Sequence, residues 1–233
     1  MQIRILQGSS RRTGHSDINI IVDVIRAFTV AHYALLKGAK GIGLVGSKEE
    51  AFRWKGTDER FLLAGEEQGL AIEGFDLDNS PARLMSFDLS GRFLLQKTTN
   101  GVRAALNALD ADHIFVTGFA NARTTAEYIC RQYLHHDPNL NIQIIASHPT
   151  GDDDLACAEY IRSLLEGTQE ITPAQAAARI MGSQAAEKFR DPDNPDFLLE
   201  DLTFCTKELS SGFVMKISGK DTIIPWIERV QVN

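Results

Sequence analysis

Short runs of β-branched and aliphatic residues alternate with longer helical patterns along most of this chain. Residues 18–24 (INIIVDV) form one such run and precede AFTVAHYALLKGA, which reads as a helix. Residues 41–46 (GIGLVG) form a second strand, followed by SKEEAFRWK, whose Ser47 ahead of Glu49 and Glu50 is a helix-capping pattern. RFLLAG (60–65) and GRFLLQK (91–97) are further strands, and TTNGVRAALNAL after the latter is a turn-to-helix passage. DHIFVTG (112–118) leads into the helical NARTTAEYICRQYL, and NIQIIAS (141–147) precedes a helix starting near Asp153. From about residue 170 the texture changes to an Ala-rich helix (TPAQAAARIMGSQAAEKF, Pro173 in its first turn), a loop (RDPDNPD) and a helix (FLLEDLTFCTKEL). FVMKISGKDTIIPWIERV closes the pattern as a strand pair joined at residues 219–221.

Strand–helix alternation predicts an α/β fold, a layered α/β/α arrangement with a mixed, largely parallel sheet. The chain reads as one unit over 1–233, with a candidate subdivision near 150–170. In such sheets ligands bind beyond the carboxyl ends of the strands. The unusual residues follow the strands: Asp23 and Arg26, residues 65–67, 98–101, 121–123 and 151–154.

Composition narrows this little. With 233 residues and 43% hydrophobic content the chain can bury a sizeable core. A net charge of -7 argues against general nucleic-acid binding. No segment has the length and apolarity of a membrane span or a signal peptide, and the three cysteines are far apart with no zinc-ligand spacing. A cytoplasmic protein with reduced thiols is the expectation.

Several segments could carry chemistry. Asp23 stands in a strongly apolar run, where it needs a partner. It could pair with Arg26, bind a cation, or attack phosphorus. Arg26 could equally receive an anionic group. In KTTNGVRAAL (97–106), Thr98, Thr99, Asn100 and Gly101 precede a helix, so their amides could face an anion near Lys97 and Arg103, or Thr99 or Asn100 could simply cap it. Asn121 marks another strand-to-helix join, and Arg123 in a first helical turn opposes the helix dipole unless an anion is near. Asp152, Asp153 and Asp154 suit a helix start and also crowd enough charge to attract a divalent cation. His148 is a candidate general acid on a loop. GEEQGLAIEGFDLDNSP (65–81) carries five carboxylates and three glycines, and reads as a turn-rich loop. No Walker loop, GxSxG elbow or GxGxxG fingerprint occurs.

In order along the chain, DVIRAFT (23–29), LLAGEEQGLAIEGFDLDNSP (62–81), TTNGVRA (98–104), GFANA (118–122) and DDLACA (153–158) resemble the 2-phosphosulfolactate phosphatases of coenzyme M biosynthesis. The resemblance runs from Ile20 to Tyr128 and more weakly to Ile161. It implies a layered α/β fold and Mg²⁺-dependent hydrolysis of phosphosulfolactate to sulfolactate and phosphate. On the matching positions it implies catalytic roles for Asp23, Arg26 and Asp154. Metal ligation is implied among Asp23, Glu66, Asp76 and Asp154. Substrate binding is implied for Asn79, Thr98, Thr99, Asn100, Gly101 and Asn121, and the helix-dipole argument adds Arg123 to them. Glu67 and Glu73 remain surface acids.

The chain departs from the pattern at Phe28, at HPTGD (148–152) and at Glu159, and its N-terminal GSSRRTGHSD is idiosyncratic, with Arg11 and Arg12 either solvated or edging the pocket. Two alternatives stand beside the leading reading: a phosphatase of another small phosphorylated hydroxy acid, and a non-catalytic anion-binding protein on the same scaffold. The expected partner is a small anionic phosphorylated substrate, with no nucleic acid and no membrane. A homodimer is expected if FVMKIS and TIIPWI form a sheet edge or an interface.

Overall fold

The computed structural model describes residues 1–10, 14–168 and 170–232; Arg11 and Arg12 lie outside them. In chain order the elements are β1 (Gln2–Gln7), β2 (Ser16–Val22), α1 (Ala27–Leu36), β3 (Gly41–Leu44), α2 (Lys48–Lys55), β4 (Phe61–Glu67), β5 (Leu70–Ala71) and α3 (Pro81–Leu84). There follow β6 (Phe93–Lys97), α4 (Gly101–Leu106), β7 (Ala111–Thr117), α5 (Ala122–Ile129), β8 (Asn141–Ala146) and α6 (Asp152–Glu166). The chain continues through α7 (Pro173–Gly182), α8 (Gln184–Glu187), a short 3₁₀ turn (Lys188–Arg190), α9 (Leu199–Thr206), β9 (Phe213–Ser218) and β10 (Trp226–Gln231).

The strands form one mixed sheet of order β1-β8-β2-β7-β9-β10-β3-β6-β4-β5, with helices layered on it. Two parallel blocks, β1-β8-β2-β7 and β3-β6-β4, are joined through the antiparallel β9–β10 pair. Three antiparallel steps (β7–β9, β9–β10, β10–β3) make the blocks run in opposite senses along the ladder. Their carboxyl ends nevertheless meet, since Gly101 after β6 is pressed against Asp23 after β2, and the twist that curls the sheet accounts for the approach. Five ladder steps separate β2 from β6, and at 20–25° each the normal twist accumulates to roughly 100–125°.

α1 fills the hollow of that curl. Its sequence AFTVAHYALL is apolar on every side, and residues 27–35 are all buried. One core cluster joins Phe28, Val30 and Leu35 of α1 to strands of both blocks through Ile21, Val116, Ile42 and Leu94, and to Met215 and Ile227 of the joining pair. Phe28 is therefore core packing. On the opposite face, Ile18, Ile20 and Val22 of β2 alternate outward with Ile142 and Ile144 onto α5 and α6, and Ala176 and Ile180 of α7 share that core. No helix among the described residues is long and apolar enough to cross a membrane.

Four elements differ from expectation. β1 arises from QIRILQ, a segment not read as a strand; it pairs in parallel with β8 along six positions. The Ala-rich helix breaks at Ser183, whose backbone is extended (φ -69°, ψ 156°), giving α7 and α8. Within the loop 65–81, Glu66 and Glu67 pair with Ala71 and Leu70 across a two-residue turn. Gln68 (φ 53°) and Gly69 (φ 88°) both take positive φ there, the signature of a type I′ hairpin. Finally, FVMKIS is β9 in the middle of the sheet, between β7 and β10, and Trp226 and Ile227 pair with β3. Neither run is a sheet edge, so the edge argument for a homodimer falls.

Candidate active site

β2 ends at Val22 and hands Asp23 to the carboxyl edge of the sheet. The residue is buried, and its carboxylate is held at both oxygens. Oδ1 accepts from the Ala27 amide at 2.9 Å, and Oδ2 lies 2.8 Å from Ser147 Oγ, at the end of β8. Burial pushes the Asp23 pKa up to about 6, nearby Asp153 and Glu66 push the same way, and the Ser147 and Ala27 hydrogen bonds oppose them.

Ser147 Oγ also lies 2.9 Å from Asp154 Oδ2. A hydroxyl has one proton to give, so two carboxyl contacts require a proton on one acid. Asp154 is the natural holder: burial, then Asp153 and Asp23, push its pKa well above the usual carboxylate range. Its remaining contacts are the amides of Val24 (2.7 Å) and His148 (3.0 Å). Asp154 thus clamps the loops after β2 and β8 from behind Asp23. The three neighbouring acids separate by role. Asp152 pairs with Arg179, which also takes Glu159 at 2.5 Å and so explains that residue as a tie between α6 and α7. Asp153 is buried, has an Oδ1 without a partner, and is pushed up in pKa by burial.

The other block supplies the facing wall. Glu66 at the end of β4 is buried; its carboxylate accepts from the amides of Gly69 and Thr99, both at 2.5 Å, and from the Thr99 hydroxyl at 2.9 Å. Thr98 Oγ1 accepts from the Val102 amide at 2.9 Å and so caps α4. Of the amides of residues 98–101 expected to face an anion, that of Thr99 is engaged within the protein by Glu66. Gly101 is pressed against Asp23. A Cβ there would lie 2.6 Å from Asp23 Oδ2 and 2.8 Å from the Ala27 Cβ, so only glycine lets α4 dock.

These parts line a cleft of about 310 Å³ to which Asp23, Arg26, Glu66, Asn79, His148 and Lys188 contribute. Thr99 and Asn100 also reach it. Arg26 is almost fully buried: it donates to Asp201 at 2.9 Å and to the Gly69 carbonyl at 3.1 Å, and its guanidinium lies over Phe189 and Phe197 at 5.0 and 5.3 Å. Asn79 Oδ1 is buried without a partner among the described residues. His148 Nδ1 accepts from the Thr150 amide at 3.2 Å, which leaves the proton of the neutral ring on Nε2.

Three expected site residues are placed elsewhere. Asp76 is exposed, bound to Lys55 and accepting from the Leu63 amide at 2.7 Å, a tie between α2 and β4. Asn121 is buried against Thr117 (2.8 Å) and Thr125 at the end of β7. Arg123 meets Glu208 at 3.2 Å and Tyr160 at 2.6 Å, so a protein carboxylate answers the helix-dipole conflict. Conversely, Ser147, Lys188 and Asp201 were missed, and Asp153 was named only as one of three acids at the start of α6. Asp201, fully buried in α9, accepts from Arg26, from Ser80 Oγ at 2.6 Å and from the Ala82 amide at 3.1 Å.

A wider cleft of about 550 Å³ lies beyond Thr98 and Thr99, over Val102 and Leu106. Its acid, Glu67, is paired with Lys97 at 3.0 Å, and it lacks buried carboxylates. The smaller cleft therefore holds the reactive groups.

A family model described as 2-phosphosulpholactate phosphatase matches residues 6–220. The chain belongs to the 2-phosphosulfolactate phosphatase family. Probable 2-phosphosulfolactate phosphatases are among its relatives: that of Bacillus subtilis is 54% identical over 230 residues, covering 99% of both chains. The Thermus thermophilus protein of the same description is 30% identical over 99% of this chain and 91% of its own. That of Caldicellulosiruptor saccharolyticus is 40% identical over 62% of this chain and 61% of its own. The family is one of phosphoric monoester hydrolases, and its match spans both walls of the cleft, from β2 through the turn bearing Lys188.

Proposed function

We propose that the chain hydrolyses 2-phosphosulfolactate to sulfolactate and inorganic phosphate. The observation that carries this reading is Asp23: a buried carboxylate, fixed at both oxygens, facing a cleft with two cationic side chains. With its pKa near 6, it is mostly ionised at neutral pH while remaining basic. It attacks phosphorus or takes the proton of the attacking water, held in one orientation by Ala27 and Ser147 for either task. As the bond from phosphorus to the ester oxygen breaks, the neutral His148 ring can donate a hydrogen bond from Nε2–H to the leaving oxygen, which takes its proton from water. Arg26 sets positive potential at the cleft floor.

Mg²⁺ suits the donors present. Among the described residues no three His, Cys, Asp or Glu side chains gather to hold an ion alone. Mg²⁺ ordinarily takes only one or two carboxylates and completes its shell with water and substrate oxygens. Asp23 and Glu66, with the unpartnered Asn79 carbonyl, are hard oxygen donors of that kind. When bound, the ion neutralises charge on the phosphoryl oxygens. We place the protein in the cytoplasm, in keeping with three unpaired cysteines.

Phosphate release from a panel of phosphorylated hydroxy acids, with Mg²⁺ and with EDTA, tests the reading. Phosphosulfolactate should be the best substrate and EDTA should stop turnover; a better substrate elsewhere on the panel reassigns the reaction, and EDTA-insensitive activity removes the metal. Asp23→Asn, folded by circular dichroism, should lose turnover by about 10³-fold or more. Wild-type activity should fall as pH drops through about 6, where Asp23 takes up its proton.

A further inference from the structure

Two cations enter the cleft, and they are treated differently by the protein around them. Arg26 has its carboxylate partner in Asp201 and a carbonyl partner in Gly69. Lys188, in the 3₁₀ turn after α8, makes no hydrogen bond and no ion pair among the described residues. Its Nζ is held over the ring of Phe197 at 4.3 Å and near that of Phe189 at 5.7 Å, the same two rings that carry Arg26. Aromatic faces attract an ammonium but accept none of its three N–H bonds in the way an anion does. The hairpin turn beneath confines it: a Cβ on Gly69 would lie 3.1 Å from Nζ. Burial, then the charge of Arg26, lower the pKa of Lys188, and the opposing charges of Glu66 and Asp153 do not offset them, so this placement costs the free protein stability. An ammonium positioned at such a cost, aimed at a cleft and hydrogen-bonded to no protein carboxylate, has its direct partner in the ligand.

The position also says which part of the ligand. The reacting carboxylate and its supports, Ala27, Ser147 and Asp154, come from loops at the sheet edge. Lys188 comes from the helical wall, where it lies against Gly69, Phe189 and Phe197, and among the described residues it forms no hydrogen bond or ion pair with Asp23 or Ser147. A phosphoryl group at Asp23 leaves the rest of the substrate to extend toward that wall. We infer that Lys188 is the specificity-determining receptor for the acid group that is not transferred, a sulfonate or carboxylate on the substrate's carbon skeleton. The inference rests on the phosphatase reading for its orientation of the substrate.

Calorimetric titration separates the two ends of the substrate: sulfolactate carries the acid groups without phosphate, and inorganic phosphate the reverse. Lys188→Met keeps the stem and removes the charge. It should weaken sulfolactate binding about 10- to 100-fold, as expected for a lost hydrogen bond to a charged group, and leave phosphate within about twofold. Lys188→Arg should restore most of the loss. For phosphosulfolactate turnover, KM should rise about 10- to 100-fold with kcat within about threefold. Equal weakening of both ligands, unchanged sulfolactate binding, or no sulfolactate binding by the wild type would overturn the assignment. Wild-type protein that binds sulfolactate in a Lys188-dependent manner but releases no phosphate would instead defeat the phosphatase reading and leave the receptor standing.

Discussion

The two walls of the cleft are built on opposite plans. The sheet-edge wall presents acids, and each is fastened by short-range backbone contacts: Asp23 by Ala27, Glu66 by Gly69 and Thr99, Asp154 by Val24 and His148. The helical wall, residues 173–206, presents a cation on aromatic faces, carried by side chains alone. Amide-fastened carboxylates move little, which suits a group that must meet phosphorus in line. A lysine on ring faces can adjust to the shape of what it receives. The comparison assigns reaction to one wall and recognition to the other, with Asp201 joining them by reaching from α9 to Arg26, Ser80 and Ala82.

The joint is the place to break the arrangement with greatest effect. Asp201→Ala leaves buried Arg26 without its carboxylate, and should lower stability by about 3–5 kcal/mol in urea unfolding. A loss under about 1 kcal/mol would mean that the walls are joined by apolar packing instead. Next is Gly101→Ala on the sheet-edge wall. Helix propensity alone favours alanine by up to about 1 kcal/mol, but the collision with Asp23 and Ala27 outweighs it. A displaced Asp23 should lower kcat about 10²-fold, with KM changing less. The Lys188 substitutions, with their KM effect and preserved kcat, are the matching probe of the helical wall. If Gly101→Ala and Lys188→Met moved the same kinetic constant, the division of labour would be wrong.

The smallest effect concerns the interior behind the sheet-edge wall. His32 of α1 stacks on Phe213 at 5.0 Å, bonds Ser211, and is pushed down to a pKa of about 4, chiefly by burial and then by Arg229. A histidine held neutral in the fold contributes stability that is present above its unfolded pKa near 6.5 and is lost as pH falls toward 4. Between pH 7 and 5 the loss should be about 2 kcal/mol. His32→Phe should flatten that part of the stability profile; an unchanged slope would place the acid sensitivity in the cleft carboxylates.

The alternation of strands and helices was legible because each β-branched run is buried on both faces and each intervening helix is long enough to show its period. Asp23, Glu66, Thr99 and Asn100 were legible as cleft residues because they directly follow strands or open a helix, whereas Asn79 was named only through the family motif. Asp76 came from that same motif, and Asn121 and Arg123 from the local rule, yet their partners Lys55, Thr117 and Glu208 were visible to neither. Asp201 and Lys188 lie in segments whose pattern announces only a helix; they reach the cleft through packing between regions more than a hundred residues apart in the chain. β1 was hidden because its two inward isoleucines are interleaved with Gln2, Arg4 and Gln7. The hairpin of β9 and β10 was read correctly as a pair and wrongly as a border, since pairing patterns do not name the outer neighbours.

That hairpin has a consequence for how the protein is made. The strands that join the two parallel blocks are the final ones in chain order, so a ribosome that has delivered residues 1–209 has delivered both blocks and nothing to bridge them. During that interval β7 and β3 each offer a bare, apolar border, the kind of surface that chaperones shield and neighbouring nascent chains capture. The two walls of the cleft, each built on one block, stay unjoined through the sheet until β9 and β10 have been made.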